Sequence, residues 1–315
     1  MKTVGRMTRK DFIGGAVALG AVQAFAQDHS PTGVASLDAI QAEINEVEPA
    51  DFKAYCRPAA DLEDFTPLAG EPKFAALRRL DAAFRKVMAE ARATKIPVGG
   101  VPAVWYVYNM GIVVKTHETM FSVDLQHRLA EELAPDLDFA LITHNHHDHY
   151  TRRFYLTMNN VLHKTVVSNF MDNYGAYFAK RPAGFTRGDK EFRFKDVTVK
   201  ATKSDHNRYL VDYTMPFEIE VGNFRIFHSG DSQNLYKLNP ADAPDLWFFH
   251  PFCGLKGAEG AKKFHPKKTL LVHLNELGHA KNRWRFTYRD GLNQKAKFAA
   301  AGAEAHVPLW GERIV

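Results

Sequence analysis

LDFALITHNHHDHY, residues 137–150, runs an apolar segment straight into four histidines and one aspartate within the six positions from His144 to His149. A solvated loop has no use for so many imidazoles. A divalent ion does, because imidazole and carboxylate together suit Zn²⁺ and similar borderline metals. The apolar run predicts a strand, and its end places His144 and His146, two positions apart, on one side of the chain where they can share an ion. The turn that follows presents Asp148 and His149 to a second position.

Other apolar runs also end in polar side chains. Phe224–Phe227 leads into His228-Ser229-Gly230-Asp231, Thr269–Val272 leads into His273, and the expected strand Val197–Thr202 precedes His206, the only histidine between His163 and His228. Gly222-Asn223 reads as a two-residue hairpin turn between Pro216–Val221 and Phe224–His228. Further strands are expected at 103–108, 112–115 and 119–123, and helices at 152–158, 170–179 and 292–301. This is a mixed α/β pattern with polar groups at strand ends, where open α/β folds place their sites.

The chain before this region is of a different kind. Lys2, Arg6, Arg9 and Lys10 precede an apolar stretch, Phe12–Ala26, that closes on Ala24-Phe25-Ala26, so residues 1–26 read as an export signal cleaved after Ala26. The stretch is too short and too often interrupted to span a bilayer, which takes about 20 apolar residues. TRKDFIG is similar to the twin-arginine export motif, with Lys10 where the second arginine is expected. The expected location is therefore periplasmic or secreted. The leader holds four of the Lys and Arg and one acid, Asp11, so the net charge of +5 falls to +2 without it. Nucleic acid thereby loses its main support as a partner. Residues 27–100 read as a helical extension, with Ser36 capping a short helix and Pro72 opening a longer one whose apolar face carries Phe74, Leu77, Leu80, Phe84, Val87 and Met88. The Pro/Gly break at 96–102 starts the main domain, taken as 101–315. Cys56 and Cys253 either pair in an oxidising compartment or remain buried thiols.

LDFALITHNHHDH resembles the signature of the metallo-β-lactamase superfamily, and FSVDL, SDHN and FHSGDS follow its remaining motifs in order across roughly residues 103–280. The resemblance implies a four-layer αββα sandwich in which His144, His146 and His206 hold one metal, Asp148, His149 and a late histidine hold the other, and Asp231 bridges them. Two residues compete for the late position: His273, which ends an apolar run and is the favoured reading, and His279 in NELGH. His147 sits at the motif's variable position. Asp124 is expected to orient the ligand loop through a hydrogen bond, since a ligand histidine usually donates its other ring nitrogen to such a partner. His228 and His250, inside or at the end of aromatic strands, are read as satisfied core histidines or as neighbours that support the ligands.

Two divalent ions, zinc with manganese or iron as alternatives, lower the pKa of a shared water toward about 7 and make a bridging hydroxide available. The expected reaction is hydrolysis of an ester, lactone or phosphodiester, with catalysis resting on Asp148 and on His273 or His279. The pattern looks most like the branch of ascorbate-6-phosphate lactonase-like and N-acyl-phosphatidylethanolamine phospholipase-like hydrolases. Alternatives are a periplasmic β-lactamase-type amide hydrolase, an iron-dependent redox enzyme, and a metal-binding protein without turnover. For the substrate, KNRWRFTYRD at 281–290 offers Arg283, Trp284 and Arg285 as a cationic and aromatic mouth for an anionic small molecule, against a solvated strand with its arginines outward.

Overall fold

The computed structural model describes residues 34–56, 71–168 and 189–315, so the leader and the helix expected at 170–179 lie outside the described residues. By compactness the chain divides into Met1–Asp38 and Ala39–Val315, and residues 39–100 fall in the second unit together with 101–315.

The described residues begin with the α-helices α1 (Val34–Glu46), α2 (Pro49–Tyr55) and α3 (Ala75–Ala93). Ser36 lies inside α1 rather than at its cap, because the helix begins two residues earlier. In α3 the apolar residues Leu77, Leu80, Phe84, Val87 and Met88 recur every three or four positions, and all are buried. That face packs on the first two strands of a five-stranded sheet, β1 (Ala103–Tyr108), β2 (Gly111–Lys115), β3 (Met120–Val123), β4 (Phe139–Leu141) and β5 (Thr165–Val167). β1 to β3 are antiparallel, and β3, β4 and β5 run parallel. Covered on both faces, β1 is buried at all six positions.

The second sheet takes seven strands in the order β6 (Lys190–Phe194), β7 (Val197–Ala201), β8 (Phe217–Val221), β9 (Phe224–His228), β10 (Leu246–Phe249), β11 (Lys268–Leu271) and β12 (Ala305–His306). β6 to β9 form an antiparallel meander, with Gly222 in the left-handed region at the β8–β9 turn as the hairpin requires. β7 and β8 alternate buried and half-buried positions, the signature of one covered face. β9 to β12 are parallel. Two short helices, α4 (Ala130–Leu133) and α5 (Arg152–Leu156), flank β4 along the chain. The outer face of β9 to β12 carries α6 (Gly257–Phe264) and α7 (Tyr288–Ala300), the latter opened by a reciprocal cap between Thr287 and Asp290. Between them lies an aromatic core of Phe227, Trp247, Phe249, Phe264 and Phe298, each ring contributing about 1.5–3 kcal/mol by burial. α6 approaches so closely that a Cβ on Gly260 would stand 2.5 Å from the Trp247 ring. The result is a four-layer αββα sandwich.

The leading helices are wired to the loops that matter later. Tyr55 of α2 donates its hydroxyl to Asp81 of α3 at 2.6 Å and meets His127 Nε2 at 3.0 Å, while Arg128 also donates to Asp81. Burial pushes the His127 pKa down to about 3, so it sits neutral in this network directly after the Asp124 loop. Arg285 is buried and donates to the carbonyls of Val47, Glu276 and Leu277. Among the described residues no helix is long and apolar enough to cross a membrane. Cys56 and Cys253 are free thiols.

Candidate metal centre

The residues of interest all follow strand ends. His144 lies three residues past β4, Asp231 three past β9, His273 two past β11, and His206 in the loop after β7. Parallel pairing of β3 with β4 in one sheet, and of β10 with both β9 and β11 in the other, carries these ends to one edge of each sheet. Asp124, just past β3, is fully buried; it accepts from the Thr143 amide and hydroxyl, each at 2.7 Å, and lies 2.9 Å from His149 Nδ1. One carboxylate thus holds the backbone ahead of His144 and the ring of His149. Gly230 turns the chain into Asp231 at a φ of +53°, and a Cβ there would lie 2.9 Å from both Thr143 and Thr214. Only glycine permits that turn and that approach together.

Four sets of side chains converge closely enough to hold an ion: His144, His146 and His206; His144, His149 and Asp231; Asp148, His149 and His273; and Asp231, His250 and His273. In the first, His206 Nε2 lies 3.0 Å from His146 Nδ1. In the third, His273 Nε2 and His149 Nε2 lie 3.1 and 3.7 Å from Asp148 Oδ2. Between them, Asp231 Oδ2 stands 3.3 Å from His149 Nε2, 3.7 Å from His273 Nε2, 3.9 Å from His206 Nε2 and 4.0 Å from His144 Nε2. A single carboxylate oxygen faces four imidazoles from three loops.

Several buried atoms of this cluster lack a hydrogen-bond partner in the protein. His144 Nε2, His149 Nε2 and Asp231 Oδ1 are buried and make no hydrogen bond, an arrangement that folded proteins avoid unless something else binds there. The donor set of imidazole nitrogens and carboxylate oxygens fits divalent zinc, manganese or iron.

The charges are tightly balanced. Burial pushes the His144 pKa well below the usual histidine value, and burial with the neighbouring His206 takes His146 down to about 4, so both offer neutral rings. For His149 burial also opposes the charge, but the carboxylates of Asp231, Asp148 and Asp124 outweigh it and lift the pKa well above the ordinary value. Burial opposes ionisation of Asp148 and Asp231 as well, yet His149 and His273 hold both well below the usual carboxylate range. An ion bound at His149 Nε2 would displace a proton held there.

The structure brings together His144, His146, Asp148, His149, His206, Asp231 and His273. His279 joins none of these groups: its Nδ1 is 2.5 Å from Glu276 Oε2. The segment at 281–290 is not a strand: it is a turn and an irregular stretch leading into a helix at Tyr288. Arg285 is a correction to the substrate reading, since its guanidinium is buried on main-chain carbonyls; Trp284 is 57% exposed and Arg283 is exposed. His250 stacks on His273 at 3.8 Å, which places it beside the candidate ligands. Asn109, unremarked in the sequence, occupies the β1–β2 turn and ties both ends of one ligand set. Its amide donates to the Asp148 carbonyl and its carbonyl accepts from the His273 amide, each at 2.8 Å. The one local signal for it was a turn-type YNMG between two strands.

No family model and no curated protein matches the chain. Solved structures do. Igni18, a metallo hydrolase from the hyperthermophilic archaeon Ignicoccus hospitalis, is similar with a TM-score of 0.51 and 16% identity over 68% of this chain and 98% of that one. A protein proposed to be a metal-dependent hydrolase, from Parabacteroides distasonis, gives a TM-score of 0.51 and 14% identity over 68% and 96%. CmlA, a diiron β-hydroxylase from Streptomyces venezuelae, gives 0.50 and 15% over 66% of this chain and 53% of that one. Identities this low speak for architecture alone, and the architecture they share with this αββα sandwich is the metallo-β-lactamase fold.

Proposed function

We propose that the protein is an exported hydrolase that holds two divalent metal ions and cleaves an ester, lactone or phosphodiester bond. The observation that carries this reading is the position of Asp231 Oδ2 within 4.0 Å of ring nitrogens from His144, His149, His206 and His273. His144, His146 and His206 would hold one ion, Asp148, His149 and His273 the other, and Asp231 both. Such a pair supplies an activated water and a Lewis acid for the substrate oxygen. The chain's own residues do the rest. Asp124 keeps the His149 ring in its tautomer and orientation. Asn109 sets the backbone of Asp148 and His273, and Asp148, held ionised by His149 and His273, would orient the activated water beside the ion it helps to hold. The bridging position of Asp231 favours the ester-, lactone- and phosphodiester-cleaving branches of the fold over the antibiotic-cleaving one. Export rests on the leader read in residues 1–26.

A second reading has its own support: CmlA, with a comparable TM-score, is a diiron β-hydroxylase, and imidazole with carboxylate also suits iron. A screen of the purified protein separates the two. Hydrolysis of generic esters, lactones or phosphodiesters that zinc restores after chelation supports the proposal. Iron content with oxygen consumption and no hydrolysis would replace it with the redox reading.

A further inference from the structure

One buried ion pair near the metal centre has no part in holding metal. Glu276 is fully buried. Its Oε1 accepts from the Tyr108 hydroxyl at 3.2 Å and from the Gly278 amide at 2.8 Å, while Tyr108 itself accepts from the Leu277 amide at 2.6 Å. Locked in this way, Glu276 directs Oε2 at His279 Nδ1, 2.5 Å away. The His279 side chain keeps 30% of its exposure, its ring lies 6.1 Å from that of His147 in the metal-binding loop, and Asp148 and Asp231 both act on its charge. Its Nε2 makes no hydrogen bond among the described residues. An imidazole oriented by a buried carboxylate, with its other nitrogen free beside a reaction centre, is built to pass a proton.

We propose that His279, positioned by Glu276, is the proton donor to the leaving group, an inference that rests on the hydrolase reading above. The attacking water gives one proton to solvent as its oxygen bonds to the acyl or phosphoryl centre. The bond from that centre to the leaving oxygen breaks with its electron pair on that oxygen, which takes the proton from His279 Nε2. His279 is left neutral, still donating Nδ1–H to Glu276, and regains its proton from solvent. The hydrogen bond to Glu276 raises the His279 pKa above the usual value against the effect of partial burial, which favours the protonated form a donor needs. The charged and titratable groups around it are Glu276, Tyr108, His147, Asp148 and Asp231.

The test uses the zinc-loaded full chain and four probes, the p-nitrophenyl and ethyl esters of butyrate and of phenylphosphonate. His279→Gln is expected to lower kcat on the ethyl esters by about 10²–10⁴-fold and on the p-nitrophenyl esters, whose leaving group needs no proton, far less, with zinc content unchanged. Glu276→Gln should show the same selectivity and a lower His279 pKa by histidine NMR. Equal losses for both leaving groups, or loss of zinc from His279→Gln, overturn the proposal. No turnover of any probe by the wild type refutes the hydrolase reading instead. The NMR arm keeps the two failures apart, because a His279 pKa left unchanged by Glu276→Gln overturns the positioning by Glu276 whether or not any probe is turned over.

Discussion

Asp231→Ala is expected to lower turnover by about a thousandfold or more while leaving the fold in place. The carboxylate removed is the one group that faces both candidate ions: its Oδ2 is 3.3 Å from His149 Nε2 on one side and 4.0 Å from His144 Nε2 on the other. A metal pair contributes several kcal/mol of charge stabilisation in the transition state, and each ~1.4 kcal/mol is a factor of ten in rate. Losing the bridge forfeits most of that. The fold should survive because Asp231 touches the other site residues, whereas the aromatic core around Trp247 and Phe298 lies against α6 and α7. Steady-state kinetics on whichever generic substrate is turned over, with thermal unfolding as the control, check this. Full activity with both metals retained would remove Asp231 from the site.

Asp124→Asn should act from outside the ligand set. The side chain is fully buried and serves the Thr143 amide, the Thr143 hydroxyl and His149 Nδ1 at once. An asparagine keeps one acceptor but turns an NH₂ toward His149, or toward Thr143 if flipped, so one donor meets another. Partners of this kind are worth about 10–100-fold in metal affinity, and breaking a buried charged contact costs about 3–5 kcal/mol. Chelator competition should show one zinc site weakened within that range and the other nearly unchanged, with a lowered melting temperature. Unaltered affinity at both sites would reduce Asp124 to a turn residue.

How much of this was legible beforehand divides by distance along the chain. His144, His146, Asp148 and His149 are local: six positions after an apolar run fix their side and spacing, and the folded chain keeps them there. His206, Asp231 and His273 were readable because each follows its own strand, although their convergence depends on parallel pairings no short window contains. Arg285 and Trp284 were misplaced for the same reason. An alternating pattern suggested rings inward and arginines outward. Instead the segment is irregular, Arg285 is buried on Val47, Glu276 and Leu277, and Trp284 is exposed. The partners that pull Arg285 inward include one 238 positions away. His279 looked like a rival ligand because spacing alone cannot tell an imidazole at the metal from one held by a neighbouring carboxylate.

The central claim is that one chain holds two ions through seven residues. Elemental analysis of the protein, purified without added metal and again after saturation with zinc and removal of the excess, tests it most directly. The geometry around Asp231 predicts two zinc ions per chain after saturation, falling on Asp231→Ala. A reproducible single ion per chain under saturating zinc would contradict the dinuclear centre and return the histidines around Asp148 to an unmetallated network.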